Sequence, residues 1–88
     1  MKIKTYAESA NSRILRYLAQ KGETRYSALL KLVSSRGTLA LSLRELDEEG
    51  LVNRRVVTKK PLETYYSLSK KGEQAAELLI KLIQCLDM

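Results

Sequence analysis

The chain contains no histidine and a single cysteine, Cys85, in 88 residues. Without histidine, both the usual general base at neutral pH and the usual metal ligand are missing. One cysteine cannot close an intrachain disulfide, so a secreted disulfide scaffold is excluded, as is a Cys/His metal-sensing cluster. Long apolar runs are also lacking. The most apolar stretch, residues 77–86, is far short of the ~20 residues that span a bilayer, and Met1-Lys2-Ile3-Lys4 leads into no hydrophobic signal segment. Nor is there a glycine-rich phosphate loop, a base–nucleophile pair or a placed pair of acids; Glu48 and Glu49 are adjacent, but neighbours on a helix do not aim at one substrate. These absences argue against an enzyme, a cofactor and a membrane span, and they predict a cytoplasmic protein.

What is present is basic and foldable. Lys and Arg number 16 against 10 Asp and Glu, a net charge of +6, and 44% apolar residues accompany 30% charged ones, which is not a disordered composition. A chain of this length forms one domain, residues 1–88, and a domain so short buries only about 60% of its extended surface. A folded basic module short of core is therefore expected, with nucleic acid as its natural partner and a second subunit as support.

Thr5 and Glu8 have the form of a capping box, and Ala7, Ala10, Ile14, Tyr17 and Leu18 recur at helical spacing before Gly22, which predicts a helix over residues 5–20. Residues 23–26 leave room only for a connector or minimal strand. Ser27 is the expected cap of a short second helix with Leu29, Leu30, Leu32 and Val33. Beyond residues 34–37 a third helix extends to Glu49, with Leu39, Leu43 and Leu46 inward and Gly50 as a left-handed stop. Residues 51–58 and 63–68 favour strand, and Pro61 lies in the turn between them, so an antiparallel hairpin is expected. Ser69 caps a last helix over residues 70–86, whose apolar face comprises Ala75, Leu78, Leu79, Leu82, Ile83 and Leu86, widened by Ala76 and Ile80. This order predicts an α+β, mostly α winged helix-turn-helix with a three-helix core, a β-hairpin wing and a C-terminal dimerisation helix.

Two motifs sharpen that reading. Leu43-Arg44-Glu45-Leu46 leads to Glu49-Gly50-Leu51-Val52 in the form L-x-x-L-x-x-x-G-L-V-x-R, and Tyr66-Ser67-Leu68-Ser69-Lys70-Lys71-Gly72 has the form Y-x-L-(S/T)-x-x-G. With them, residues 23–73 resemble the small prokaryotic winged-helix transcriptional regulators of the HxlR, MarR, ArsR and PadR types, and the spacing through Pro61 is closest to HxlR. The resemblance implies a regulator that binds double-stranded DNA through a recognition helix at about 35–49 in the major groove and a wing at about 51–68 on the backbone or minor groove.

With the three leucines inward, Arg36, Gly37, Ala40, Leu41 and Arg44 fall on the outer face of the third helix, with Ser35 and Thr38 at its start. Arginine suits guanine O6/N7, small residues permit close approach, and Leu41 can meet a thymine methyl or pack under the wing. The acids Glu45, Asp47, Glu48 and Glu49 collect at the far end, which should point away from phosphate. Residues 51–72 hold Arg54, Arg55, Lys59, Lys60, Lys70 and Lys71 against Glu63 alone, net +5. Lys59 and Lys60 at the tip reach phosphates or the minor groove, and strand alternation lets only one of Arg54 and Arg55 face DNA. An edge-strand solubility device is the competing account of these cations, but it does not explain why they are concentrated in one hairpin. Arg25 and Lys31 border the second helix as candidate phosphate contacts.

The last helix offers Leu79, Leu82, Ile83 and Leu86, joined by Ile3 and Tyr6, as a homodimer interface that would set two recognition helices about 34 Å apart on a pseudo-palindrome. The alternative is that this face packs wholly within one protomer. Cys85 reads as an inert small hydrophobe or, near a two-fold axis, as an interchain disulfide. The functional expectation is a homodimeric repressor; the competing class is a winged-helix protein-interaction module of a larger assembly. A small-molecule effector is left open.

Overall fold

A computed structural model describes residues 9–86. The elements are α1 (Ala10–Lys21), β1 (Thr24–Arg25), α2 (Tyr26–Leu32), α3 (Arg36–Glu48), β2 (Val52–Val57), β3 (Glu63–Leu68) and α4 (Lys70–Leu86). The three strands form one antiparallel sheet in the order β1-β3-β2. The mostly helical α+β winged helix-turn-helix expected from the sequence is the observed architecture.

Two helix starts differ from expectation. Ser9 has extended backbone and its side chain accepts the Ser12 N–H at 3.2 Å, so α1 begins at Ala10 and does not run unbroken from Thr5. Thr5, Ala7 and Glu8 lie outside the described residues. α2 begins at Tyr26 rather than after Ser27, with Arg25 as an N-cap that makes no side-chain cap bond. The chain passes from β1 straight into this helix, and Tyr26 packs partly buried against the core.

The core joins Ile14, Leu15 and Leu18 of α1, Leu29 of α2, Leu39, Leu43 and Leu46 of α3, Leu51 and Val52 at the entry to β2, Tyr66 of β3 and Ala76 of α4. At the N-terminus of α3, Ser35 accepts the Thr38 N–H at 3.3 Å. The helix stops at Gly50, whose φ of 74° is the left-handed conformation that spares glycine alone a side-chain penalty. Leu51 N–H then donates to the Leu46 carbonyl at 2.9 Å, turning Leu51 and Val52 inward.

α4 divides the apolar face predicted for it. Gly72, Ala76 and Leu79 are buried against the body of the protein, whereas Leu78, Leu82 and Leu86 are 68%, 40% and 50% exposed. Leu79, expected at a dimer interface, instead fills the protomer's own core at 7% exposure; one helical step of about 100° carries Leu78 out of the same contact.

Candidate nucleic-acid interface

The start of α3 is an accessible helix face. Ser35, Arg36, Gly37, Thr38, Ala40, Leu41 and Arg44 are all exposed, while Leu39, Ser42, Leu43 and Leu46 are buried. Leu41 is 57% exposed, so it does not pack under the wing. Arg44 Nε lies 3.1 Å from Glu48 Oε1 in an i,i+4 pair with both side chains open to solvent. Such a pair is worth only about 0.3–0.5 kcal/mol, so a base or phosphate can displace it cheaply. The acids Glu45, Asp47, Glu48 and Glu49 stand at the opposite end, exposed.

Strand alternation separates the two wing arginines. Arg54 pairs in register with Tyr66, and together they line a cleft of about 240 Å³ with Tyr26, Ala40, Leu43, Arg44 and Asp47. Arg44 of the recognition helix and Arg54 of the wing thus share one recess. Burial pushes the Tyr66 phenol above its ordinary pKa, against the lowering influence of the neighbouring Arg54.

Arg55 faces the other side of the sheet. Its Nη2 lies 2.7 Å from Glu23 Oε1 and its Nε 3.1 Å from Oε2, and its guanidinium stacks 4.6 Å from the centroid of the Tyr65 ring. These hydrogen bonds hold the Glu23 carboxyl below and the Arg55 guanidinium above their ordinary pKa values. Arg55, expected among the DNA contacts, is therefore committed to a bidentate ion pair away from α3.

At the tip, Lys59 Nζ lies 3.1 Å from Glu63 Oε1, and Arg25 Nη2 reaches the same oxygen at 3.5 Å. The Tyr65 hydroxyl donates to the other Glu63 oxygen at 2.6 Å. Tyr65 first and Lys59 second hold the Glu63 carboxyl below the usual range, and the same bond raises the Tyr65 phenol. Lys60 is exposed and has no ion-pair partner among the described residues, and the same is true of Arg36. Lys31 is exposed in the last turn of α2. Tyr26 and Tyr66 are cleft residues that sequence reasoning did not select; Tyr66 stood in the second motif, but only the register places it opposite Arg54.

The remaining sequence candidates lie elsewhere. Leu82 and Leu86 stand exposed on α4, Ile83 is half-buried and Cys85 is exposed. Ile3 and Tyr6 are outside the described residues. Among the described residues no cluster of His, Cys, Asp and Glu could hold a metal ion, and no helix is long and apolar enough to cross a membrane.

Comparison with known proteins agrees with this geometry. The family model for the HxlR-like helix-turn-helix matches residues 8–88. Among solved structures, ytfH of Salmonella typhimurium, assigned as a transcriptional regulator, is 26% identical with a TM-score of 0.77, over 94% of this chain and 76% of that one. The reduced form of the transcriptional regulator YodB from B. subtilis is 23% identical with a TM-score of 0.70, over 93% and 80%. A transcriptional regulator homologue from Pyrococcus horikoshii OT3 is 21% identical with a TM-score of 0.71, over 97% and 96%. The latter two carry likeness of fold alone. No curated protein matches the chain significantly. With its family model spanning nearly the whole chain and its recognition helix and wing in place, the protein belongs to the HxlR family of winged helix-turn-helix transcriptional regulators, a DNA-binding class.

Proposed function

We propose that the protein is a non-enzymatic, homodimeric repressor that acts in the cytoplasm by occupying a pseudo-palindromic operator. The observation that carries this reading is the shared recess of Arg44 and Arg54, beside the exposed start of α3. Inserted in the major groove, Arg36 and Arg44 meet base edges, Gly37 and Ala40 let the backbone approach, Leu41 meets a thymine methyl, and Ser35 and Thr38 bind at the entrance. Arg54 and Lys60 then neutralise flanking phosphates, with Lys59 shared between phosphate and Glu63.

The exposed leucines of α4 support the dimer. Leu78, Leu82 and Leu86 recur at four-residue steps along one side of the helix, and burying them against a second copy supplies the core that one short chain lacks. Ile83, Ile3 and Tyr6 join that interface. The chain as a whole then serves as one DNA-binding domain, with residues 70–88 in dimer contact.

Selection of binding sites from a randomised duplex pool tests the reading. It is expected to return an inverted repeat whose half-site centres lie about 10–10.5 base pairs, or a multiple, apart. A pool that enriches no sequence would sink it in favour of a protein-interaction module.

A further inference from the structure

The outer face of the sheet carries a cross-strand row, since the register sets Arg25 opposite Tyr65 and Tyr65 opposite Arg55. Glu63, two residues before Tyr65 on the same strand, shares that face. Its side chain is only 11% exposed, and its carboxylate accepts the Tyr65 hydroxyl at 2.6 Å and pairs with two cations, Lys59 Nζ at 3.1 Å and, more loosely, Arg25 Nη2 at 3.5 Å. A carboxylate so shielded from water depends on these partners to offset its lost hydration, so it holds them more firmly than a solvated acid would. Both cations remain half-open to solvent, with side-chain exposures of 50% for Arg25 and 58% for Lys59. They are presented to an external anion while bound to an internal one.

We propose that Glu63 is a positioning residue for DNA binding, which competes with the phosphate backbone for Lys59 and Arg25 and so limits how many phosphates the wing neutralises. The proposal rests on the DNA-binding reading above. Glu63 lies beyond the recognition helix and its competition acts on backbone contacts, so it lowers affinity for every sequence alike. Glu23 does the same for Arg55, one strand step away, which leaves Arg54 and Lys60 as the wing cations with no carboxylate partner among the described residues.

Glu63→Gln removes the charge while keeping an acceptor for the Tyr65 hydroxyl. Binding is measured by fluorescence anisotropy on a selected site and on a scrambled duplex, from about 50 to 300 mM salt. E63Q is expected to bind both duplexes roughly 3- to 10-fold tighter at 100 mM salt, with a log–log slope steeper by about 0.9 for each phosphate gained. Adding Lys59→Ala should remove most of that gain. In the wild-type background Lys59→Ala should cost less than about twofold, because that charge is already spent on Glu63, and this arm stands even if E63Q fails to fold. E63Q that binds as wild type or more weakly at an unchanged slope, or a tenfold loss from Lys59→Ala alone, overturns the proposal. Wild-type protein that binds neither duplex overturns the DNA-binding reading itself, and the proposal with it.

Discussion

The Ser69 hydroxyl donates to the Gly50 carbonyl at 2.6 Å, which ties the residue entering α4 to the residue leaving α3. Around it, Ser69 N–H donates to the Leu51 carbonyl at 3.0 Å, Gly72 N–H to Ser69 Oγ at 3.0 Å, and Lys71 Nζ to the Glu49 carbonyl at 2.9 Å. A side-chain carbon at Gly72 would collide with the Leu51 carbonyl group. The two motifs recognised in the sequence are thus two halves of one joint, which locks the exit of the recognition helix to the start of the last helix.

Gly72→Ala is expected to destabilise the protein by about 1–3 kcal/mol or more, as overpacking against fixed backbone does, and Ser69→Ala by about 1 kcal/mol through the lost cap. Urea unfolding followed by circular dichroism at one fixed protein concentration measures both. Equal midpoints for G72A and wild type would contradict the close packing.

Arg54→Ala and Arg55→Ala should part company. Arg54 faces α3 and has no carboxylate partner among the described residues, so its loss should weaken DNA binding and reduce the magnitude of the salt slope by about 0.9 per protomer, about 1.8 for the dimer. Arg55 is spent on Glu23, so its loss should leave affinity within about twofold of wild type and lower stability instead. Arg44→Ala is expected to cost about 1–3 kcal/mol on the selected site and relax its base preference. Anisotropy titrations with each variant read these effects; a larger affinity loss from R55A than from R54A would reverse the assignment.

Leu82→Glu should break the dimer while leaving a folded protomer, because Leu82 projects from α4 into solvent. Leu79→Ala should instead destabilise the protomer by about 2–5 kcal/mol, since Leu79 is core. Sedimentation velocity with matched thermal unfolding distinguishes them. A monomeric wild type, or an L82E variant that stays dimeric, would refute the interface.

Acid should loosen the outer face of the sheet. Glu23 and Glu63 titrate below the ordinary glutamate value of ~4.3, Glu23 through Arg55 and Glu63 through Tyr65 and Lys59. A depressed folded pKa contributes stability that is present above the unfolded value and is lost as pH falls through the folded one. The melting temperature of wild type should therefore drop below about pH 4.3, and Glu23→Gln/Glu63→Gln should show a shallower drop. Tyr65 has the opposite sign: its raised pKa contributes stability below the unfolded value that fades as pH rises through the folded one. Identical acid limbs for wild type and the double variant would contradict the assignment.

The sequence reveals most where a local rule decides the outcome. The spacing of Leu39, Leu43 and Leu46 gives the buried stripe of α3, Gly50 its end, and Ser69 the start of α4, all of which the structure retains. Alternation separates Arg54 from Arg55, but which of them faces α3 depends on Glu23, 32 residues from Arg55, and on a register that no local pattern fixes. The division of α4 into Leu79 inside and Leu78 outside is likewise tertiary, because an apolar face wider than its contact leaves the helix rotation to packing. Ser27 is a good cap by type, yet the strand before it sets where α2 begins.

The most direct test of the account is the affinity of the wild-type protein for a selected inverted repeat and for its scrambled counterpart, measured across salt. A dimer neutralising about 7–10 phosphates predicts a log–log slope on the order of −6 to −9, with the inverted repeat preferred by at least ~10³-fold at physiological salt. A shallow slope with no preference between the two duplexes would contradict it.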